Sequence, residues 1–175
     1  MRWMWIDRVV ELEPRRRIVA IKNVSLAEEH LHDHFAAADG EPALPVMPAS
    51  LIIEGMAQTA GLLVGHAESF RQKVILAKIG RAEISRDAGP GMTLRYTATI
   101  DRMDAVGAAT SGTVDLMDHG RPGGGFATIG SVEMMFSHLD NNLGGAGQSG
   151  EDFPAHNFVF CDAFRTLLRT SGIAV

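Results

Sequence analysis

Residues 48–67, PASLIIEGMAQTAGLLVGHA, constrain the fold more than any other stretch of the chain. Wound as a helix, this segment is apolar on nearly every side, and a helix without a polar face belongs inside a protein. About 20 residues at about 1.5 Å each make a rod of about 30 Å, enough to thread a domain or to span a bilayer. Glu54, Gln58 and His66 interrupt the apolar run, which favours the buried helix of a soluble domain over a membrane span. Pro48 suits the first helical position, where its missing N–H has no partner to lose. Ser50, Glu54 and Gln58 recur every four residues and share one face. A carboxylate on so apolar a helix is unfavourable unless it is paired or used. Glu54 therefore reads either as a partnered core acid or as a functional group.

The 175 residues suit one domain, and an apolar share of 46% is enough for a core around that helix. A net charge of −5 argues against non-specific nucleic-acid binding. The single cysteine, Cys161, excludes a disulfide or a multi-cysteine metal site within one chain, and a reducing, cytoplasmic setting is expected. Charges run through residues 1–14, so no signal peptide is read there. No glycine-rich nucleotide or phosphate loop is present, and the glycines of 121–126 read as a turn.

Residues 5–13 and 17–24 read as two strands of a hairpin, with the basic run Arg15–Arg17 as a solvated turn. Residues 25–48 read as irregular and hold His30, His32 and His34. On a strand these alternate positions would face one way, as a metal site needs. Surface histidines, or one histidine acting as a general base, fit the same residues. After the helix, residues 74–83, 92–103, 108–117 and 125–137 read as four strands in a meander. An antiparallel sheet curled round one long helix satisfies this order, because each needs the other to cover its apolar surface. Residues 139–150 read as a linker, and 157–170 as an amphipathic helix packed on the body or on a neighbouring subunit. The expected organisation is one domain over 1–138 and a glycine-rich linker with a helical extension over 139–175.

The runs VSLAEEHLHDHF (24–35), PVMP (45–48) and LIIEGMAQ (51–58) resemble the 3-hydroxyacyl-acyl-carrier-protein dehydratases of fatty-acid synthesis. Similarity extends from about residue 5 to 137 and omits the tail. The resemblance implies an α+β hot-dog fold, a curved antiparallel β-sheet wrapped around one long central α-helix, here with a C-terminal helical tail. It places the catalytic histidine, which precedes a phenylalanine, on His34, and the catalytic carboxylate on Glu54. It also implies that the Val46 carbonyl orients the imidazole, that the Ala49 N–H binds the thioester oxygen, and that Gln58 belongs to the substrate-binding set. Histidine and carboxylate come from different subunits, so a homodimer is the smallest active unit, with a trimer of dimers left open. The implied substrate is an acyl thioester on acyl carrier protein or coenzyme A, with no cofactor, no metal, no nucleic acid and no membrane partner. Three features depart from the family pattern: Asp33 replaces a glycine, Ala49 replaces a glycine, and the loop Ala36 to Leu44 is longer.

The implied reaction removes a proton from C2 of a 3-hydroxyacyl thioester and expels hydroxide from C3. A neutral imidazole suits the first task and a protonated, buried carboxyl the second. Free N–H groups and the positive end of the helix dipole at residue 49 suit the enolate-like oxygen. A hot-dog thioesterase and a non-catalytic acyl-binding subunit are the alternatives, because this fold serves more than one function.

Overall fold

The computed structural model describes residues 3–38, 40–139 and 156–173. The linker reading of 139–150 lies, apart from Leu139, outside the described residues. Six strands, β1 (Arg8–Glu13), β2 (Arg17–Asn23), β3 (Val74–Ile84), β4 (Met92–Met103), β5 (Gly107–Asp118) and β6 (Ala127–His138), form one antiparallel sheet. Three helices lie wholly among the described residues: α1 (Glu29–Asp33), α2 (Ala49–Ala67) and α3 (Asp162–Thr170).

The strand order is β1-β2-β4-β5-β6-β3. Only β4, β5 and β6 form a meander. The long α2 crosses between β2 and β3, so β3 lies at the edge beyond β6 instead of beside the strand that follows it. Four of the five strand pairs carry a register shift. Such bulges bend and twist a strand, and a bent sheet wraps a single helix on several sides. The buried Leu94, Tyr96 and Ala98 of β4 alternate with less buried neighbours, as a strand with one covered face requires. Ile52, Met56, Leu63 and Val64 of α2 complete the core against them.

Gly55 marks the closest approach of helix to sheet. A β-carbon there would stand 2.5 Å from Tyr96 Oη and 2.6 Å from its Cζ. Only glycine lets α2 lie directly on this ring.

Other sequence expectations need correction as well. Residues 25–48 contain α1, so the histidines do not alternate along a strand. On a helix the spacing of four puts His30 and His34 on one face and turns His32 away. The C-terminal helix begins at Asp162 and not at Asn157. Residues 157–161 are instead a bend held by Asn157, whose Oδ1 accepts the Val159 and Phe160 N–H groups at 3.1 and 3.4 Å. Pro48 stands one residue before α2, as its N-cap. No helix among the described residues is long and apolar enough to cross a membrane.

Candidate active site

The polar face of α2 carries Ser50, Glu54 and Gln58, and Gln58 organises it. Its Oε1 accepts the Trp5 N–H at 2.8 Å, while its Nε2 donates to the Trp3 carbonyl at 3.0 Å and to Glu54 Oε1 at 3.0 Å. The chain entering β1 is thereby laid over the helix, and Glu54 is oriented through one oxygen. Glu54 itself is half-buried. It lines a cavity of about 520 Å³ whose floor is the α2 face Glu54, Ala57, Gln58, Gly61 and Leu62. The first residues of β3, Phe136 of β6 and the C-terminal segment supply the walls.

The histidine segment is fixed from the other side. Ser25 and Glu28 close a turn just before α1: Ser25 Oγ accepts the Ala27 N–H at 3.2 Å, the Ser25 carbonyl accepts the Glu28 N–H at 3.0 Å, and Glu28 Oε2 accepts the Ser25 N–H at 3.1 Å. Glu28 Oε1 also pairs with the buried Lys22 of β2 at 2.6 Å. These bonds hold α1 against the sheet although five residues make too short a helix to persist alone. His30 and His34 then line a second cavity, of about 380 Å³, with Trp3, Trp5 and the first turn of α2 at Pro48, Ser50 and Leu51. His32 points elsewhere, its Nε2 donating to the Leu26 carbonyl at 2.5 Å.

His34 is exposed and meets Phe35 edge-on at 4.5 Å between ring centres. His30 meets Trp5 edge-on at 5.0 Å, and its Nε2 is buried without a hydrogen-bond partner among the described residues. Its pKa lies below the ordinary histidine value of 6.5, chiefly because burial disfavours the charged ring; Lys22 and His34 add to the lowering and Glu28 opposes it. The sequence offered His30 only as one of three histidines, with no role of its own. The signal was its spacing of four from His34, legible only once the segment is known to be helical.

Ala49 is the exposed first residue of α2. Leu51 and Ile52 donate to the Pro48 carbonyl at 2.9 and 3.3 Å, and the amides of Ala49 and Ser50, which precede the first bond of the helix, have no partner among the described residues. Val46 is half-buried and its N–H donates to the Leu44 carbonyl at 2.9 Å. It lines neither of these two cavities, and no hydrogen bond among the described residues joins its carbonyl to His34. Within one chain, His34 and Glu54 therefore face adjoining cavities, with Trp3 in the wall of both.

The β3 edge is open as well. Leu76 and Ile79 on β3, and Met135 on the neighbouring β6, are 39%, 42% and 48% exposed. An edge strand with apolar side chains and unpaired backbone groups is a surface on which another chain can continue the sheet.

Comparison with known proteins adds to this geometry. Residues 2–118 match the family model of the FabA-like domain. The chain is 36% identical over 105 residues to the 3-hydroxyacyl-acyl-carrier-protein dehydratase FabZ of Rickettsia bellii, covering 59% of this chain and 68% of that one. It is 33% identical over 116 residues to the FabZ of Ruminiclostridium cellulolyticum, covering 65% and 78%. Among solved structures, the dehydratase heterocomplex ApeI:P from Xenorhabdus doucetiae superposes with a TM-score of 0.58 at 15% identity, over 78% of this chain and 83% of that chain. At that identity the likeness is one of fold.

Proposed function

The chain belongs to the FabA-like domain family, and from that premise we propose that it is a 3-hydroxyacyl-thioester dehydratase whose site is shared by two copies of the chain. In this reading His34 of one copy takes the C2 proton. The carboxyl of Glu54 in the other copy protonates the departing C3 hydroxyl, which leaves as water. The Ala49 N–H, at the positive end of α2, stabilises the enolate-like oxygen that develops between the two steps. The product is the trans-2-enoyl thioester. Acyl carrier protein is the carrier named in the matched relatives, and the proposal extends it to this chain.

The observation that carries the reading is the setting of Glu54: a carboxyl oriented by Gln58 on the floor of a cavity lined mostly by apolar side chains. A core acid satisfied by a partner has no use for such a cavity, whereas an acid that meets C3 of an acyl chain needs one. His34 stands in the adjoining cavity at the free-donor end of the same helix. A second copy joined through the open β3 edge would bring another such histidine into play.

The test is hydration of crotonyl-CoA, the reverse reaction, followed by loss of the conjugated enoyl absorbance. His34→Ala and Glu54→Gln should each lower kcat/KM by about 10²–10⁴, the usual worth of a positioned acid or base. Wild-type rates in both variants would reject the assignment. Release of free thiol in place of hydration would identify a thioesterase.

A further inference from the structure

The cavity beside Glu54 has a built end. Its floor runs along one face of α2, and from Glu54 to Gly61 the helix advances about 10 Å. Gly61 leaves the floor open: a β-carbon there would meet only Phe136 Cε1, at 3.5 Å. One turn further on, the floor is closed. Phe160, buried to 5% exposure, lies on Gly65, where an added β-carbon would collide with its ring. Phe70 and Phe164 pack edge-on to Phe160, at 4.9 and 6.2 Å between ring centres.

The same two rings form a partition. Phe160 and Phe164 line both the Glu54 cavity and a third space, of about 410 Å³. The partition is anchored at both ends. Asn157 Nδ2 donates to the Phe70 and Gln72 carbonyls, at 3.0 Å each. At the far end Ser171 Oγ accepts the Val9 N–H at 3.0 Å, and Leu167 and Leu168 are buried. All of these tail residues lie beyond the span 2–118 that matches the family model.

We propose that the C-terminal segment is the chain-length determinant of this protein, with Phe160 and Phe164 as the stop against which the tail of the acyl group ends. This rests on the acyl-thioester reading above and names the substrate class of that site. An extended acyl chain advances about 1.3 Å per carbon, given bonds of about 1.5 Å. The stretch from Glu54 to Gly61 therefore holds about eight carbons, and the preferred substrates are short to medium acyl chains.

The experiment compares hydration of trans-2-hexenoyl-CoA and trans-2-dodecenoyl-CoA by the full-length wild type, Phe160→Ala and Gly61→Val. Each methylene newly accommodated is worth about fourfold. The ratio of kcat/KM for the long over the short substrate should rise at least about tenfold in Phe160→Ala, which joins the two spaces, and fall in Gly61→Val, which fills the floor. Ratios equal to wild type in both variants overturn the proposal. If Phe160→Ala does not fold, Phe164→Ala, which opens the same partition, takes its place: a raised ratio supports the stop and an unchanged ratio overturns it. If the wild type hydrates neither substrate, the dehydratase reading fails by itself. The stop is then tested by calorimetric Kd values for lauroyl-CoA against hexanoyl-CoA, where the same opposite shifts support it and unchanged ratios overturn it.

Discussion

Gln58 spends both ends of its amide on the site. Three bonds from one buried side chain tie Trp3, Trp5 and Glu54 together. Gln58→Leu keeps the volume but leaves the Trp5 N–H and the Trp3 carbonyl without this partner, a loss of about 2 kcal/mol in a denaturant titration. It also frees the Glu54 carboxyl, so kcat for crotonyl-CoA should fall more than KM changes. Full stability in this variant would show that water replaces the amide and that the tie is dispensable. His30 makes a prediction about pH. Because its folded pKa lies below 6.5, the unfolded chain takes up a proton first as pH falls. Its contribution to stability is intact above about pH 6.5 and is lost between there and the lowered folded value. His30→Phe keeps a ring against Trp5 and removes the titration. Urea midpoints of this variant should therefore decline less than those of wild type between about pH 7 and pH 5. Parallel declines would mean that the ring is freely solvated.

At the scale of elements, α2 depends on a single small residue. Gly55→Ala drives a methyl into Tyr96, a ring fully enclosed by the core whose phenol burial holds far above its usual range. Overpacking of this kind destabilises by about 1–3 kcal/mol. A thermal melt of Gly55→Ala should show that loss, and an unchanged Tm would mean that the helix can lift off the sheet without penalty. The elements also show what a sequence makes legible. The bounds of β4 are those that its alternation predicts, since alternate burial is written directly into Leu94, Tyr96 and Ala98. The long helix is equally plain from its apolar run. The short α1 is not, because its stability lies in Lys22, Glu28 and Ser25 rather than in any period of its own. The first five residues of the expected C-terminal helix are apolar enough for a helix, but Asn157 gives the backbone a competing set of bonds.

At the scale of the whole molecule, a curved sheet with one helix across it follows from the need to cover two apolar surfaces. The place of β3 does not follow from any local pattern. It is fixed by where the chain leaves α2, and it puts Leu76 and Ile79 on an open edge. The candidate site divides in the same way. Glu54 stands out in the sequence as a carboxylate on an apolar helix, whereas His34 is distinguished from His30 and His32 only by the family resemblance, through the phenylalanine that follows it. The cavity connecting Glu54 to the tail could not be read, since Gly61 and Phe160 are brought together only by tertiary packing. The division of His34 and Glu54 between adjoining cavities leads to the central claim, that the base of one chain serves the acid of another. Co-expression of His34→Ala chains with Glu54→Gln chains tests it most directly. Random pairing makes half the dimers mixed, and each mixed dimer has one of its two sites intact, so crotonyl-CoA hydration should return to about a quarter of wild type. A mixture as inactive as either variant alone would mean that base and acid act within one chain, and would contradict the account.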